Sequence, residues 1–242
     1  MIWFTGDTHR DIDAHKLNTF NWPEQKHLTK DDYLIVLGDF GCVWNGGETD
    51  LWWQKWHNAK PYTTLFVPGN HENYDLLRQY PEEEWNGGIV RRIQPSVLML
   101  ERGHVFEIDG KHIFAMGGAQ SHDAEYRKLG VTMWEQELPS QEEYSCAIKA
   151  INRVDNKVDL IISHCAPGQI EDKILSRRVP IRDELTAFLE SLSHTVDYDL
   201  WLFGHYHCNA MIDEKHICLY DCISSLDRII ARRNELMPEC QE

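Results

Sequence analysis

No stretch of the 242-residue sequence approaches the roughly 18 consecutive apolar residues that a helical membrane span requires. Its start, Met1-Ile-Trp-Phe-Thr-Gly-Asp7, has no basic segment and reaches a carboxylate within seven residues, so no secretory leader is expected there. No C-x-x-C pair occurs, and the seven cysteines are an odd number. Free thiols in a reducing cytoplasm are expected rather than a disulfide framework or a thiolate metal site. Positive charge is scarce: 24 Lys and Arg stand against 39 Asp and Glu, a formal net charge of −15. That balance argues against broad attraction to nucleic acid or to an anionic membrane. Internal repeats and low-complexity segments are also missing, and one domain over 1–242 is expected.

What is present is an alternation of short apolar runs with polar, helix-capable segments. Strands are expected at Ile2–Thr5, Tyr33–Leu37, Thr63–Val67, His112–Met116, Asp159–Ser163 and Asp199–Phe203, with helices at Thr49–Ala59, Asn73–Tyr80, Ser140–Val154 and Ile181–Leu192. Further β-prone runs at Val97–Leu100, Val105–Ile108, Ala210–Ile212 and His216–Tyr220 read as antiparallel meanders, which makes a second sheet expected. Residues 118–140 are polar and long for a plain connection, as functional loops often are.

Five strand candidates run directly into clusters of Gly, Asn, Asp and His: Gly6-Asp7-Thr8-His9, Gly38-Asp39, Gly69-Asn70-His71-Glu72, Ser163-His164 and Gly204-His205-Tyr206-His207. Ligands of α/β sheets bind at the carboxyl ends of strands, so these clusters are expected to meet on one rim. Asp7, His9, Asp39, Asn70, His164, His205 and His207 are hard or borderline ligands for divalent metals. The pairs Asp7/His9 and His205/His207 are spaced i, i+2 and, on extended chain, would point the same way. Seven ligands exceed what one tetrahedral ion takes and suit two ions sharing a carboxylate. Such ions lie about 3.5–4 Å apart, polarise a phosphoryl oxygen and ionise a bridging water near neutral pH. They would also turn a region of an acidic protein locally positive, as an anionic substrate needs.

The ordered series GDTH, LGDFG, PGNHE, SHCAP and FGHYH, spanning residues 6–207, resembles the calcineurin-like metallophosphoesterase superfamily, in particular its small bacterial and phage-type members. The resemblance implies a four-layer α/β/β/α sandwich. It implies one metal held by Asp7, His9, Asp39 and His207, and a second held by Asp39, Asn70, His164 and His205. Asp39 bridges the two, and Mn, Fe or Zn are the expected ions. His71 matches the family's catalytic histidine, and Glu72 is expected to orient its ring. The implied activity is hydrolysis of phosphate monoesters or diesters of a small phosphorylated substrate, by attack of metal-bridging hydroxide. An Mre11-like nuclease and a non-catalytic metal-binding scaffold are the alternatives, with nucleic acid unexpected as a partner because the basic surface is missing.

The chain departs from the family's protein phosphatases. Gly38-Asp39-Phe40-Gly41-Cys42-Val43-Trp44 stands where they carry an arginine after the aspartate. Arg10, beside His9, offers a replacement phosphate contact or a solvated rim charge. The run from Gly117 to Arg127 is similar to the GGA-x-S-x-D-x-x-x-R stretch of small members, which makes His122 and Arg127 candidate substrate contacts. Trp44 is expected near the site. Trp52, Trp53 and Trp56 are expected to pack against the sheet.

Overall fold

The side chains of Ile2–Thr5 alternate: Ile2 and Phe4 enter one apolar cluster, Trp3 another. A strand buried on both faces needs such covering layers, and the same division runs through the chain. The fold is seen in a computed structural model that describes residues 1–121, 123–175 and 182–236. In chain order the described elements are β1 (Ile2–Thr5), β2 (Tyr33–Val36), α1 (Glu48–Asn58), β3 (Thr63–Phe66), α2 (Tyr74–Leu77), β4 (Glu82–Trp85), β5 (Gly88–Gln94), β6 (Val97–Leu100), β7 (His104–Ile108) and β8 (Lys111–Met116). There follow α3 (Gln141–Arg153), β9 (Leu160–Ser163), α4 (Gly168–Ile174), α5 (Glu184–Thr195), β10 (Leu200–Phe203), β11 (Ala210–Met211), β12 (His216–Cys218), β13 (Ser224–Ser225) and α6 (Leu226–Leu236). None of the described helices is long and apolar enough to cross a membrane.

The strands form two mixed sheets, ordered β13-β1-β2-β3-β6-β5-β4 and β11-β12-β10-β9-β8-β7. Between them lies one apolar layer that includes Phe4, Ile35, Leu65, Leu98, Phe106, Ile113, Ile162 and Leu202. The outer face of the first sheet packs Trp3, Val36 and Phe66 with Leu17, Trp22 and Tyr62. The outer face of the second packs Phe114, Ile161 and Trp201 with Ala147 and Ile151 of α3 and Leu185 and Leu189 of α5. The result is the four-layer α/β/β/α sandwich. α3 starts where its sequence says it should: Ser140 accepts from Glu143 N at 3.2 Å while Glu143 accepts from Ser140 N at 2.7 Å.

Two assignments need correction. Val97–Leu100 and His216–Tyr220 are meander strands on one side only: β6 pairs antiparallel with β5 and parallel with β3, and β12 pairs antiparallel with β11 and parallel with β10. The β4–β5 hairpin was not anticipated, since Glu82-Glu83-Glu84 reads as a polar run. Its signal was the Asn86-Gly87 turn, where both residues take positive φ (48° and 90°) as a tight hairpin turn requires. Arg91 and Arg92 pair with Glu82 and Glu83 across this edge, and charge on an edge strand also discourages pairing with another chain. Of the tryptophans on α1, Trp53 and Trp56 pack on the core, whereas Trp52 is 56% exposed.

His57 of α1 is fully buried between Phe40 and Trp56, with ring centroids at 4.7 and 5.0 Å, and neither ring nitrogen has a hydrogen-bond partner. Burial, reinforced by the charge of Lys60, pushes its pKa down to about 3. The unfolded chain therefore takes up a proton between pH 6.5 and 3 that the folded chain refuses. Stability from this site is full above pH 6.5 and is lost as pH falls. The fall between pH 7 and 5 is expected to be about 2 kcal/mol steeper in the native protein than in His57→Leu, as chemical denaturation at the two pH values would show.

Candidate metal centre

β1, β2 and β3 are parallel neighbours in one sheet, as are β8, β9 and β10 in the other. Their carboxyl ends lie at one edge of the sandwich, where the sheets come into contact through His164 Nδ1 and the carbonyl of Leu37, 2.8 Å apart. Five of the polar clusters emerge at this edge. Asp7, Asp39, Asn70 and His164 are buried, while His9 and His71 are partly exposed.

Asp39 stands between two groups of side chains. Its Oδ2 is 3.2 Å from His9 Nε2, and its Oδ1 is 3.4 Å from His164 Nε2. On the first side, Asp7 Oδ2 lies 3.1 Å from His207 Nε2, and the His9 and His207 rings are 5.3 Å apart. On the second, His164 Nε2 lies 3.1 Å from Asn70 Oδ1, and the His205 ring is 4.9 Å from that of His164. Ligand atoms of Asp7, His9 and His207, and likewise of His9, Asp39 and His71, lie within 4.8 Å of one another.

The i, i+2 pairs converge for a different reason from strand alternation. His9, Arg10, Asp39, His205 and His207 all adopt left-handed backbone, with φ of 41°, 55°, 47°, 67° and 49°. The chain has left the strand and coiled back, which turns each pair inward. Non-glycine residues in this region cost about 1–3 kcal/mol each and gather at functional sites. Close approach imposes a second constraint. A Cβ at Gly38, itself at φ 96°, would overlap the His164 ring, and one at Gly69 would overlap the Asp39 carboxylate.

Glu72 does not orient His71. Its carboxylate is buried and accepts from the backbone N–H of Phe40 (2.7 Å) and Gly41 (3.3 Å), so it fastens the loop that carries Asp39. Burial and the nearby Asp39 charge push it up to about 8. His71 is met instead by Arg127, whose Nη2 lies 2.6 Å from His71 Nε2. His71 N donates to Asp39 Oδ1 at 2.7 Å. Arg10 is drawn sideways, to Asp11 (2.9 Å) and the buried Asp50 (3.2 Å). His122 lies outside the described residues.

Sequence reasoning missed the groups beneath the site. Asp13 accepts from His9 Nδ1 at 2.7 Å across a non-helical turn. Asn70 Nδ2 donates to Ser121, which donates to Glu137, a relay that fixes the amide so that Oδ1 faces inward. Lys16 is buried with its ammonium on the carbonyls of Gly6, Asp7 and Tyr220, and burial pushes it down to about 8. Tyr220 stacks on His207 with centroids 4.6 Å apart. Nothing local in the sequence points to Lys16 or Tyr220.

Burial by itself disfavours charge on His9 and His164. The carboxylates outweigh it, Asp39 foremost, and both imidazoles rise to about 9. Asp39 is held well below the usual carboxylate range: burial would raise it, and His164 and His9 more than reverse that. His71 moves the other way. Burial lowers it, Asp39 opposes, and Arg127 adds to the lowering. Buried carboxylates thus draw protons onto neighbouring imidazoles as counter-charges, and a divalent cation could replace those protons. The donor set fits one: it offers nitrogen and oxygen without thiolate, and Asp7 Oδ2 is buried yet accepts no hydrogen bond.

Two parallel-strand rims thus meet over one His/Asp/Asn cluster. The calcineurin-like phosphoesterase family model matches residues 1–209. The chain belongs to that family. It is similar to the lariat debranching enzyme of Caenorhabditis briggsae, 25% identical over 201 residues that cover 71% of this chain and 37% of that protein. Lariat debranching enzyme A of Xenopus laevis is 24% identical over 236 residues, covering 84% and 42%. The Schizosaccharomyces pombe lariat debranching enzyme is 24% identical over 189 residues, covering 71% and 36%. The chain thus matches roughly two fifths of the length of these relatives.

Proposed function

We propose that the chain hydrolyses phosphodiesters at a two-cation centre. Asp7, His9, Asp39 and His207 would hold one ion, and Asp39, Asn70, His164 and His205 the other. The observation that carries this reading is the position of Asp39, one carboxylate oxygen toward each group. Bound there, divalent ions supply Lewis acidity and ionise a water at neutral pH. The chain's own groups do the rest. Arg127, paired with Asp123 at 2.7 Å and set against His71, would neutralise phosphate charge beside that ring. His71 would hydrogen-bond the phosphoryl group and, in its protonated form, pass a proton to the departing alkoxide. The loop 118–140 supplies Arg127 and, through Ser121 and Glu137, the grip on Asn70, so it is the substrate loop of a unit that extends over the chain.

The diester preference rests on the relatives, whose names state that they debranch lariats. Nucleic acid, unexpected from the charge balance, therefore enters as a substrate class. The cations and Arg127, rather than a basic surface, would meet its phosphate.

Elemental analysis of protein loaded with Mn, Fe(II) or Zn is expected to give two ions per chain. Uptake should weaken as pH falls below about 9 and the imidazoles regain their protons. The loaded protein is expected to turn over bis(p-nitrophenyl) phosphate faster than p-nitrophenyl phosphate. Failure to take up metal would overturn the centre, and metal without turnover on either ester would leave the scaffold reading.

A further inference from the structure

A cleft of about 160 Å³ opens beside the centre, lined by His9, Arg10, Ile12, Gly41, Trp44 and His71. Pockets for whole ligands run to about 300–1,000 Å³, so this one has room for a single planar ring system. His9 and His71 belong both to its wall and to the proposed reaction site. A group seated in it would therefore lie beside the reacting phosphate, within reach of a substituent on it. The lining also includes Trp44, half-buried, and Ile12, 70% exposed.

These walls are held in place. Asp50, completely buried on α1, accepts from Trp44 N, Asn45 N and Gly46 N at 2.7, 2.7 and 2.8 Å through Oδ2, and from Arg10 Nη1 at 3.2 Å through Oδ1. One carboxylate thereby fixes the backbone under Trp44 and the guanidinium of Arg10. Asn73 donates to the Trp44 carbonyl at 2.7 Å, and the Trp44 and Trp134 rings meet at 79° with centroids 5.5 Å apart. Fixing these groups in advance lowers the ordering cost of binding. This also explains Arg10: its pairing with Asp50 and Asp11 leaves it as the polar edge of the cleft rather than as a phosphate clamp.

We propose that this cleft is a nucleobase subsite, in which Trp44 stacks on the base of a nucleoside esterified to the reacting phosphate. The inference rests on the phosphodiesterase reading above and narrows its substrate to nucleoside-bearing diesters. Asp50 acts as a positioning residue, through Trp44 and Arg10.

The test compares two diesters that share a leaving group, thymidine 5′-(p-nitrophenyl phosphate) and methyl p-nitrophenyl phosphate, with the metal-loaded protein. In each, the P–O bond to nitrophenolate breaks and a P–O bond to a water oxygen forms, with the water's proton released to solvent. The unmodified chain is expected to favour the nucleoside ester in kcat/KM by roughly 5- to 150-fold, the range of base–aromatic stacking, chiefly through KM. Trp44→Ala should bring the ratio of the two substrates close to one, and Trp44→Phe should keep most of it. Ile12→Ala, at an exposed position that folding tolerates, should lower the ratio by a smaller factor. Thymidine alone should inhibit methyl ester hydrolysis competitively. A ratio near one in the unmodified chain, or a ratio unchanged in both Trp44→Ala and Ile12→Ala, would overturn the subsite and leave the phosphodiesterase reading standing. Turnover of neither ester would overturn both.

Discussion

Asp39→Asn is expected to abolish ester hydrolysis and to remove at least one of the two cations. Its carboxylate is the group that touches both sets of side chains, at 3.2 Å from His9 and 3.4 Å from His164. An amide keeps the shape and can still accept from His71 N through its oxygen, as Asp39 Oδ1 does at 2.7 Å. It cannot bridge two cations, because one of its two positions is now a donor without a lone pair. Backbone strain does not cloud the result. Asp39 sits at φ 47°, a region that asparagine tolerates at least as well as aspartate. The loss should exceed the roughly 10²–10⁴-fold expected from an acid–base residue alone. Metal content, circular dichroism and turnover measured on one preparation check it. A folded Asp39→Asn protein that keeps two ions and near-native turnover would falsify the bridging role.

His71→Ala is expected to separate chemistry from metal binding. The ring lies in the open part of the site, its backbone N–H on Asp39 and its side chain on Arg127. Truncation therefore leaves the Asp7, His9 and His207 group and the Asn70, His164 and His205 group in place. Turnover should drop by about 10²–10⁴-fold, with the decrease in kcat rather than in metal stoichiometry. The effect should also depend on the leaving group. Esters of acidic alcohols depart without a proton and should lose least, while simple alkyl esters should lose most. Equal losses for nitrophenyl and alkyl esters would instead mean that His71 binds phosphate without transferring a proton. Arg127→Ala is the informative partner, since it frees His71 from the neighbouring charge that lowers its proton affinity.

Much of the rim was legible because its signals are local. Short apolar runs ending in Gly-Asp, Gly-Asn, Gly-His or Ser-His announce strands that stop at a turn. Five such endings in a chain of parallel strands can only gather at one edge. Asp7, Asp39, Asn70 and His164 follow from that reasoning, and the glycines at 38 and 69 stand where another residue's Cβ would strike His164 or Asp39. The β4–β5 hairpin was hidden for the opposite reason. Its glutamates are explained by Arg91 and Arg92 across an edge, a pairing visible only once the register is known.

Residue identity and spacing alone determined the alternating architecture, the residues that end each strand and the family to which the chain belongs. Those properties depend on side-chain periodicity and on turn chemistry within a few residues. The tertiary structure alone decided that Glu72 fastens the Asp39 loop, that Arg127 reaches His71 across 56 positions, and that Lys16 and Tyr220 support the chain beneath Asp7 and His207. It also decided that left-handed turns, not extended strands, aim the paired ligands. Each of these depends on which distant segments the two packed sheets bring into contact, and a buried charge takes whatever partner that packing leaves within reach.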